Sequence, residues 1–414
     1  VTSSSPHSDA APDSAGHDSA HPDAAPDGAS VPTPDQTERV ILQAAADEGG
    51  TGRPGDILVV GDATGALTAA ALELVADHET ARVWSWSTSR AEVRALADLL
   101  PGPLSSGRLV LPQGSDPAPL EEFAAAASVH LVLARLPKSL AALEDLARHL
   151  ARLAERSDRA DRTDLTLVAG GRVKHMTRSQ NEVLGAFFGE VRASRGLGKS
   201  RALIASDPRA EVAAPEPATG TAHVAVRGTG RELALRGVGG VFGGARPDAG
   251  SLLLLEALDR ALAAGELDAV TSTVDLGCGN GLLTAHLAAA LPEARVLGSD
   301  DDLDAVASTR ATLEASDLER EGVQVSWDDA LSDVAEDSAD LVLLNPPFHD
   351  GPGIDATLVR GLLDAAARVL RPGGQLWFVH NSHLRYRPEL EARVGTVRQR
   401  ARDRRFTVLS AVAR

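Results

Sequence analysis

VDLGCGNGLLTAHL, residues 274–287, is the stretch on which the reading of the fold turns. Val274 and Leu276 flank Asp275 in a short apolar run, Gly277, Gly279 and Gly281 follow at alternate positions, and an apolar run of helical character comes next. That is the pattern of a buried strand, a tight turn and a helix. Glycine at these positions allows a sharp turn and leaves no side chain between the backbone and a ligand.

The pattern occurs twice. VVGDATGALTAAA at 59–71 matches it, with Gly65 opposite Gly281. ARVWSWS at 81–87 matches ARVLGSD at 294–300, and VHLVLARLPKS at 129–139 matches ADLVLLNPPFH at 339–349. Three correspondences in the same order predict a duplicated α/β domain. Where the second copy has Asp275, Cys278, Asp300 and Asn345, the first has Val59, Asp62, Ser87 and Arg135. The first copy is therefore expected to keep the frame without the polar equipment. Its apolar runs ILVVG (57–61), ARVWSW (81–86), RLVLP (108–112), VHLVLA (129–134) and LTLVAG (165–170) read as buried strands, and stretches such as 137–155 between them as helices. A largely parallel sheet follows.

Residues 1–34 are Ser, Ala, Pro, Asp and His with almost no large apolar side chain, so the segment is expected to be a disordered acidic leader. Its His7, His17 and His21 are too loosely spaced to predict a metal site. The first copy is placed at 35–205, a linker with a short hairpin (HVAVRG, ELALRG) at 206–238, and the second copy at 239–414. The chain has no run of 18 apolar residues and no N-terminal signal pattern, which argues against a membrane partner and for the cytoplasm. With Cys278 the one cysteine, a disulfide or thiolate metal centre within the chain is excluded.

The net charge of −17 is unevenly spread. Residues 1–35 hold six Asp and no Lys or Arg; 171–205 hold seven Lys/Arg against two Glu; 371–414 hold ten Arg against three acids. Local basic patches bind phosphates even on an acidic molecule, the alternative being an ordinary solvated surface. The stretch RVGTVRQRARDRRF (393–406) reads either as an RNA contact or as one side of a helix followed by an edge strand, FTVLSAVAR.

The spacing G-C-G-N-G departs from the G-x-G-x-x-G pattern that helps hold a pyrophosphate. Asp275 at the strand end suits a cationic amino-acid moiety, so the turn with Cys278 and Asn280 points to S-adenosylmethionine ahead of a nicotinamide cofactor or plain turn chemistry. Asp300, twenty-five residues on, ends the next strand where a carboxylate takes ribose hydroxyls; Asp301 and Asp302 beside it are the helix-capping alternatives. Asp328 and Asp329 end a third strand, beside the adenine. Asp329 is preferred because Ala330 and Leu331 read as the start of the next segment, and Trp327 is read as core. In GGVFGGARPDAGSLLLLEAL (239–258), Phe242 and Asp248 are pocket-lining candidates, or else a core residue and a helix cap.

The run LVLLNPPFHDG is the sharpest signal. Two prolines cannot lie inside a central strand or a helix, so Asn345-Pro346-Pro347-Phe348 is a stiff loop at a strand's carboxyl end. There the Asn345 side-chain oxygen and the Pro346 carbonyl can accept both hydrogens of a planar exocyclic amine, and Phe348 offers a face for a flipped base. His349 is read as a solvated or capping residue, with proton acceptance from the product as the alternative.

DLGCGNG followed by NPPFH resembles the bacterial ribosomal-RNA guanine-N2 methyltransferases of the small-methyltransferase-domain class, and the likeness runs from about residue 55 to the end. It implies a tandem duplication of the class I, Rossmann-like S-adenosylmethionine-dependent methyltransferase fold with a degenerate, RNA-positioning first copy. It also implies ribosomal RNA as partner, a cofactor site around Asp275, Gly277, Gly279, Asp300 and Asp329, and an amine site at Asn345 through Phe348. Arg172, Lys174, Arg178, Lys199 and Arg201 become candidate phosphate contacts, and the chain is expected to act as a monomer. VAGGRVKHMTRSQNEVLGAFFG (168–189) and KSRAL (199–203) look more like the large-subunit (23S) than the small-subunit (16S) members. Adenine N6 and a protein glutamine amide are rival targets, because an Asn-Pro-Pro loop offers the same geometry to each of these amines; a non-catalytic assembly role and a small-molecule substrate are the other readings.

Overall fold

The computed structural model describes residues 32–50, 52–156, 165–346 and 356–414. The leader through residue 31 lies outside these, as do Pro347, Phe348 and His349.

Two seven-stranded sheets carry the fold. In the first, β1 (Asp56–Val60), β2 (Val83–Trp86), β3 (Leu109–Val110), β4 (Val129–Arg135) and β5 (Thr166–Arg172) are parallel; at one side β7 (Ser200–Pro208) pairs antiparallel with β5, and β6 (Phe188–Ala193) antiparallel with β7. The order is β3-β2-β1-β4-β5-β7-β6. The second is built from β10 (Ser272–Leu276), β11 (Arg295–Asp300), β12 (Val323–Trp327), β13 (Ala339–Leu344), β14 (Leu370–Asn381), β15 (Gly395–Arg402) and β16 (Phe406–Ala413), in the order β12-β11-β10-β13-β14-β16-β15. The two orders are one topology written twice, so the chain is a tandem duplication of one Rossmann-like α/β fold.

Register confirms the matched positions one by one. Val59 and Ser85 are partners in the first sheet, Asp275 and Gly298 in the second. One residue beyond the last paired position of each neighbouring strand lie Ser87 and Asp300, and likewise Arg135 and Asn345. Gly65 and Gly281 each precede a helix, α2 (Ala66–Leu74) and α9 (Leu282–Ala290), in the left-handed region at φ 77° and 82°. A β-carbon on Gly281 would lie 2.8 Å from Thr309 Cα, so glycine is required there for packing as well as for φ.

Between the copies, β8 (Ala218–Val226) and β9 (Thr229–Gly237) form a two-stranded hairpin. It is not a free linker: Ala222, Leu233 and Leu235 are buried in one core with Leu254 and Leu258 of α8 (Ala249–Ala263) and Leu283 and Leu287 of α9. The arginine-rich stretch forms strand β15, not a helix face. Thr396 and Val397 suit an extended chain, and the arginines line an edge strand whose hydrogen-bonding capacity is used on one side only. FTVLSAVAR is correspondingly an inner strand, paired on both sides.

Candidate active site

The carboxyl ends of β10, β11, β12 and β13 converge, and the acids expected there separate into two sets. Asp275 is fully buried on β10. Its Oδ2 accepts from Thr284 Oγ1 at 2.6 Å, while Oδ1 has no hydrogen-bond partner among the described residues. Burial pushes its carboxyl up to about 7; the Thr284 hydrogen bond opposes this and the nearby Asp300 charge adds to it. An unsatisfied buried carboxylate oxygen is costly, and a cationic group arriving beside it would remove the cost. Beyond it, Gly277 (φ +80°) and Gly279 (φ +54°) are open, since a β-carbon on either would meet nothing within 4 Å among the described residues.

Asp300 is fixed from below: Oδ2 accepts from Gly279 N (2.9 Å) and Oδ1 from Asp302 N (3.0 Å). Burial pushes it up to about 6 against those hydrogen bonds. Asp329, half-buried just after β12, has its pKa raised by burial and by the charges of Asp301 and Asp328 against Arg94 and Arg90, so its charged neighbours are those of the seam between the copies. Ala330 and Leu331 do not begin a regular segment. Both sit at positive φ (48° and 60°), a strained turn held by Arg368 donating to the Leu331 carbonyl.

Asp301 and Asp328 turn away from this cleft toward the first copy. Successive residues along an extended chain point to opposite sides, so neighbouring acids cannot share one site. Asp301 accepts from Ser89 Oγ (2.6 Å) and Ala91 N (2.7 Å), capping α3 (Arg90–Leu99) of the first copy. Asp328 accepts from Ser332 Oγ and Asp333 N and lies 3.6 Å from the Arg94 guanidinium. Trp327 is core, as expected; its Nε1 donates to the Thr88 and Asp301 carbonyls, and Arg90 lies over its ring. Asp301 thus takes the capping role weighed for it, on a helix of the first copy, and Asp328, the less favoured acid of its pair, serves the seam between the copies.

Asn345 follows the last residue of β13. Its Nδ2 donates to Asp248 Oδ2 and to Ser251 Oγ, both at 2.9 Å. Asp248 is the N-cap of α8, its Oδ2 also accepting from Ser251 N. With both amide hydrogens engaged, the amide has one orientation, carbonyl oxygen away from the helix. Asp248 is thus both a cap and a partner of Asn345. Ser251 was not anticipated; its signal was its place three residues after a capping acid. Pro346 is buried beside Asn345.

Asn280 links the glycine turn to the segment before α8, donating to the Gly244 and Arg246 carbonyls at 2.9 Å. Cys278 is buried, and burial keeps its thiol protonated. Phe242 is 61% exposed, so it is not a core residue. Among the described residues, no three His, Cys, Asp or Glu side chains gather as a metal site. Arg172, Lys174, Arg178, Lys199 and Arg201 are all exposed. Four of them gather where β5 ends and β7 begins: Arg172 pairs with Ser200, Gly171 with Arg201, and Val173 N donates to the Lys199 carbonyl. Arg178 stands apart on α7 (Arg178–Phe187) and pairs with Glu182.

Residues 33–210 match the RLMG N-terminal domain family and 232–410 the Methyltransferase small domain family. Ribosomal RNA large subunit methyltransferase G of Streptomyces coelicolor is 35% identical over 362 residues, 86% of this chain and 88% of the relative. The protein of that name from Shewanella amazonensis is 30% identical over 88% of each chain. Among solved structures, T. thermophilus 16S rRNA N2 methyltransferase (RsmC), in complex with AdoMet and guanosine, aligns over 92% of both chains with a TM-score of 0.68 at 24% identity, a likeness of fold. The chain belongs to the ribosomal RNA large subunit methyltransferase G family.

Proposed function

We infer that the chain methylates the exocyclic N2 amine of a guanine in large-subunit (23S) ribosomal RNA, with S-adenosylmethionine as donor. The observation that carries this is the pairing of a buried, unpartnered Asp275 oxygen under an open glycine turn with an Asn345 amide locked in one orientation at the next strand end. The donor supplies an electrophilic methyl group on a sulfonium. Asp275 receives its ammonium group, Asp300 its ribose hydroxyls and Asp329 the adenine side.

Asn345 Oδ1 and the Pro346 carbonyl accept the two hydrogens of the target amine. That turns the nitrogen lone pair out of conjugation and toward the methyl, so catalysis rests on alignment and electrostatics. Phe348, which lies outside the described residues, is the ring assigned to stack on the flipped base. The first copy, without a carboxylate at the Asp275 place, positions RNA through Arg172, Lys174, Lys199 and Arg201, with Arg178 on the flank. We place the first copy from residue 35 through the end of β7 at Pro208, and the hairpin β8–β9 with the second copy, whose core it enters. The chain acts as a monomer in the cytoplasm, where its substrate is made; among the described residues no helix is long and apolar enough to cross a membrane.

The test uses purified protein, methyl-labelled S-adenosylmethionine and separate pools of unmodified 16S and 23S RNA, followed by nucleoside analysis. Label as N2-methylguanosine in the 23S pool, lost with Asn345→Ala, is the expected result. Label in the 16S pool alone, or in N6-methyladenosine, overturns the assignment.

A further inference from the structure

The turn joining β15 to β16 carries Arg402, Arg404 and Arg405, all exposed, and His383 and Arg385 are exposed beside the end of β14. Their neighbours are neutralised: Arg387 pairs with Glu391, Arg393 with Glu389 and Arg400 with Glu266. Arg385, Arg402, Arg404 and Arg405 enter no salt bridge among the described residues. The one acid in the turn, Asp403, is spent on the backbone, accepting from Arg405 N (2.7 Å) and Phe406 N (2.6 Å). Positive charge is thus gathered, unpaired, on a molecule whose net charge is −17. The field reaches inward: His380 is held below its ordinary value by burial first, then by Arg402 and His383.

This corner adjoins the amine site. Ser382 N donates to the Arg405 carbonyl at 2.7 Å, which fixes the turn to the carboxyl end of β14. That strand pairs with β13 through Phe378 and Leu344, the residue before Asn345. Phe406, under the Arg405 guanidinium, packs on Gly250 in the first turn of α8, whose cap holds Asn345. The first copy repeats the arrangement. Val173 N donates to the Lys199 carbonyl as Ser382 N donates to that of Arg405, and Arg172 pairs with Ser200 as Asn381 pairs with Phe406. Both copies therefore carry a basic corner at the same topological place, although only one corner borders Asn345.

We propose that Arg402, Arg404 and Arg405 bind backbone phosphates of the RNA strand flanking the target nucleotide. The proposal rests on RNA being the substrate. Arginine forks on an exposed turn suit phosphate oxygens and carry no base preference, so the corner supplies affinity and register and leaves base choice to the Asn345 loop.

The test measures binding of the full chain to protein-free, unmodified 23S RNA across a salt series, without cofactor, for wild type and for the triple variants Arg402→Gln/Arg404→Gln/Arg405→Gln and Arg402→Lys/Arg404→Lys/Arg405→Lys. Cofactor affinity and Tm are recorded alongside. The glutamine variant is expected to bind RNA at least roughly tenfold more weakly, with a salt slope smaller by about three, while cofactor affinity and Tm stay unchanged. The lysine variant is expected to keep the wild-type slope. An unchanged slope in the glutamine variant overturns the proposal, and so does a loss that lysine fails to restore, because phosphate neutralisation needs only the charge. Failure of the activity itself is read separately, as wild type that binds RNA and transfers no label.

Discussion

Arg135 donates to Glu38 at 2.7 Å and to Asp35 at 2.8 Å, in the place where Asn345 of the second copy donates to Ser251 and Asp248. The acceptors match in position as well, since Asp35 caps α1 (Gln36–Asp47) and Glu38 is its third residue, as Asp248 and Ser251 are for α8. The first copy has thus exchanged an amide that can receive a substrate for an ion pair that satisfies itself. Its turn is closed too, because the buried Asp62 carboxylate accepts from Gly65 N and Thr68 N.

Removing the guanidinium by Arg135→Ala leaves Glu38, 1% exposed, buried without its cation. The pair is half open on the Arg135 side, so the expected cost is about 2 kcal/mol, below that of breaking a fully buried pair. The double variant Arg135→Ala/Glu38→Gln should recover part of it, because no lone charge then remains buried. Denaturant melts of wild type, Arg135→Ala, Glu38→Gln and the double variant give the coupling. Titration with S-adenosylmethionine should still find one site per chain, since Val59 stands where Asp275 would be needed; a second site would refute the degeneracy of the first copy.

Asp248 and Ser251 act on the reaction through the Asn345 amide. Asp248→Ser keeps an N-cap oxygen for the helix but draws back the acceptor that holds Nδ2, so kcat should fall about tenfold while the protein loses less than about 1 kcal/mol of stability. Ser251→Ala should act the same way and more mildly. Cofactor affinity is the discriminating measurement. It stays constant if Asp248 serves Asn345, and it weakens with kcat preserved if Asp248 touches the donor.

The frame of both copies was legible because buried parallel strands leave long apolar runs, and because glycine is hard to replace at a left-handed turn such as Gly281. The division of labour among adjacent acids was not. Asp300 and Asp301 are chemically identical in sequence, and their roles are set by which side of the strand end each faces. What faces Asp301 is Ser89, 212 residues away. Ser251 was missed for the same reason: its partner, Asn345, lies 94 residues on. The basic character of 393–406 could be counted, and Arg398, Arg400, Arg402 and Arg404 alternate at the strand period, but a run without an apolar face names no neighbour, and only pairing with β16 places it at the sheet edge.

The glycines of the turn should divide by mechanism. Gly281→Ala meets both a left-handed φ and the Thr309 backbone at 2.8 Å, so it is expected to destabilise the chain by about 3 kcal/mol. Gly279→Ala meets open space and pays only for its φ, about 1 kcal/mol. Its methyl nevertheless stands where the donor is to lie. Calorimetry should find Gly279→Ala folded with cofactor affinity reduced at least tenfold; normal affinity in that variant would move the donor away from this turn.

The acids of the site give binding a pH signature whose sign is fixed. Asp275 is raised from 3.8 to about 7 in the free protein, so the folded state holds a proton that the unfolded chain has lost. The stability this group contributes is complete below about pH 4 and disappears as pH rises through 7. A cationic ligand needs the carboxylate, so cofactor affinity should move the other way, rising through pH 6–7 and levelling above, with the ligand restoring stability in the same range. Asp300, raised to about 6, adds a second and earlier step. Asp275→Asn should weaken binding, abolish the upper step and leave the one near 6, and it should stabilise the unliganded protein at pH 8, where wild type must hold a buried charge. Isothermal titration across pH 5–8 with paired thermal melts checks both halves. Affinity that is flat in wild type would mean that no positive group of the donor reaches Asp275.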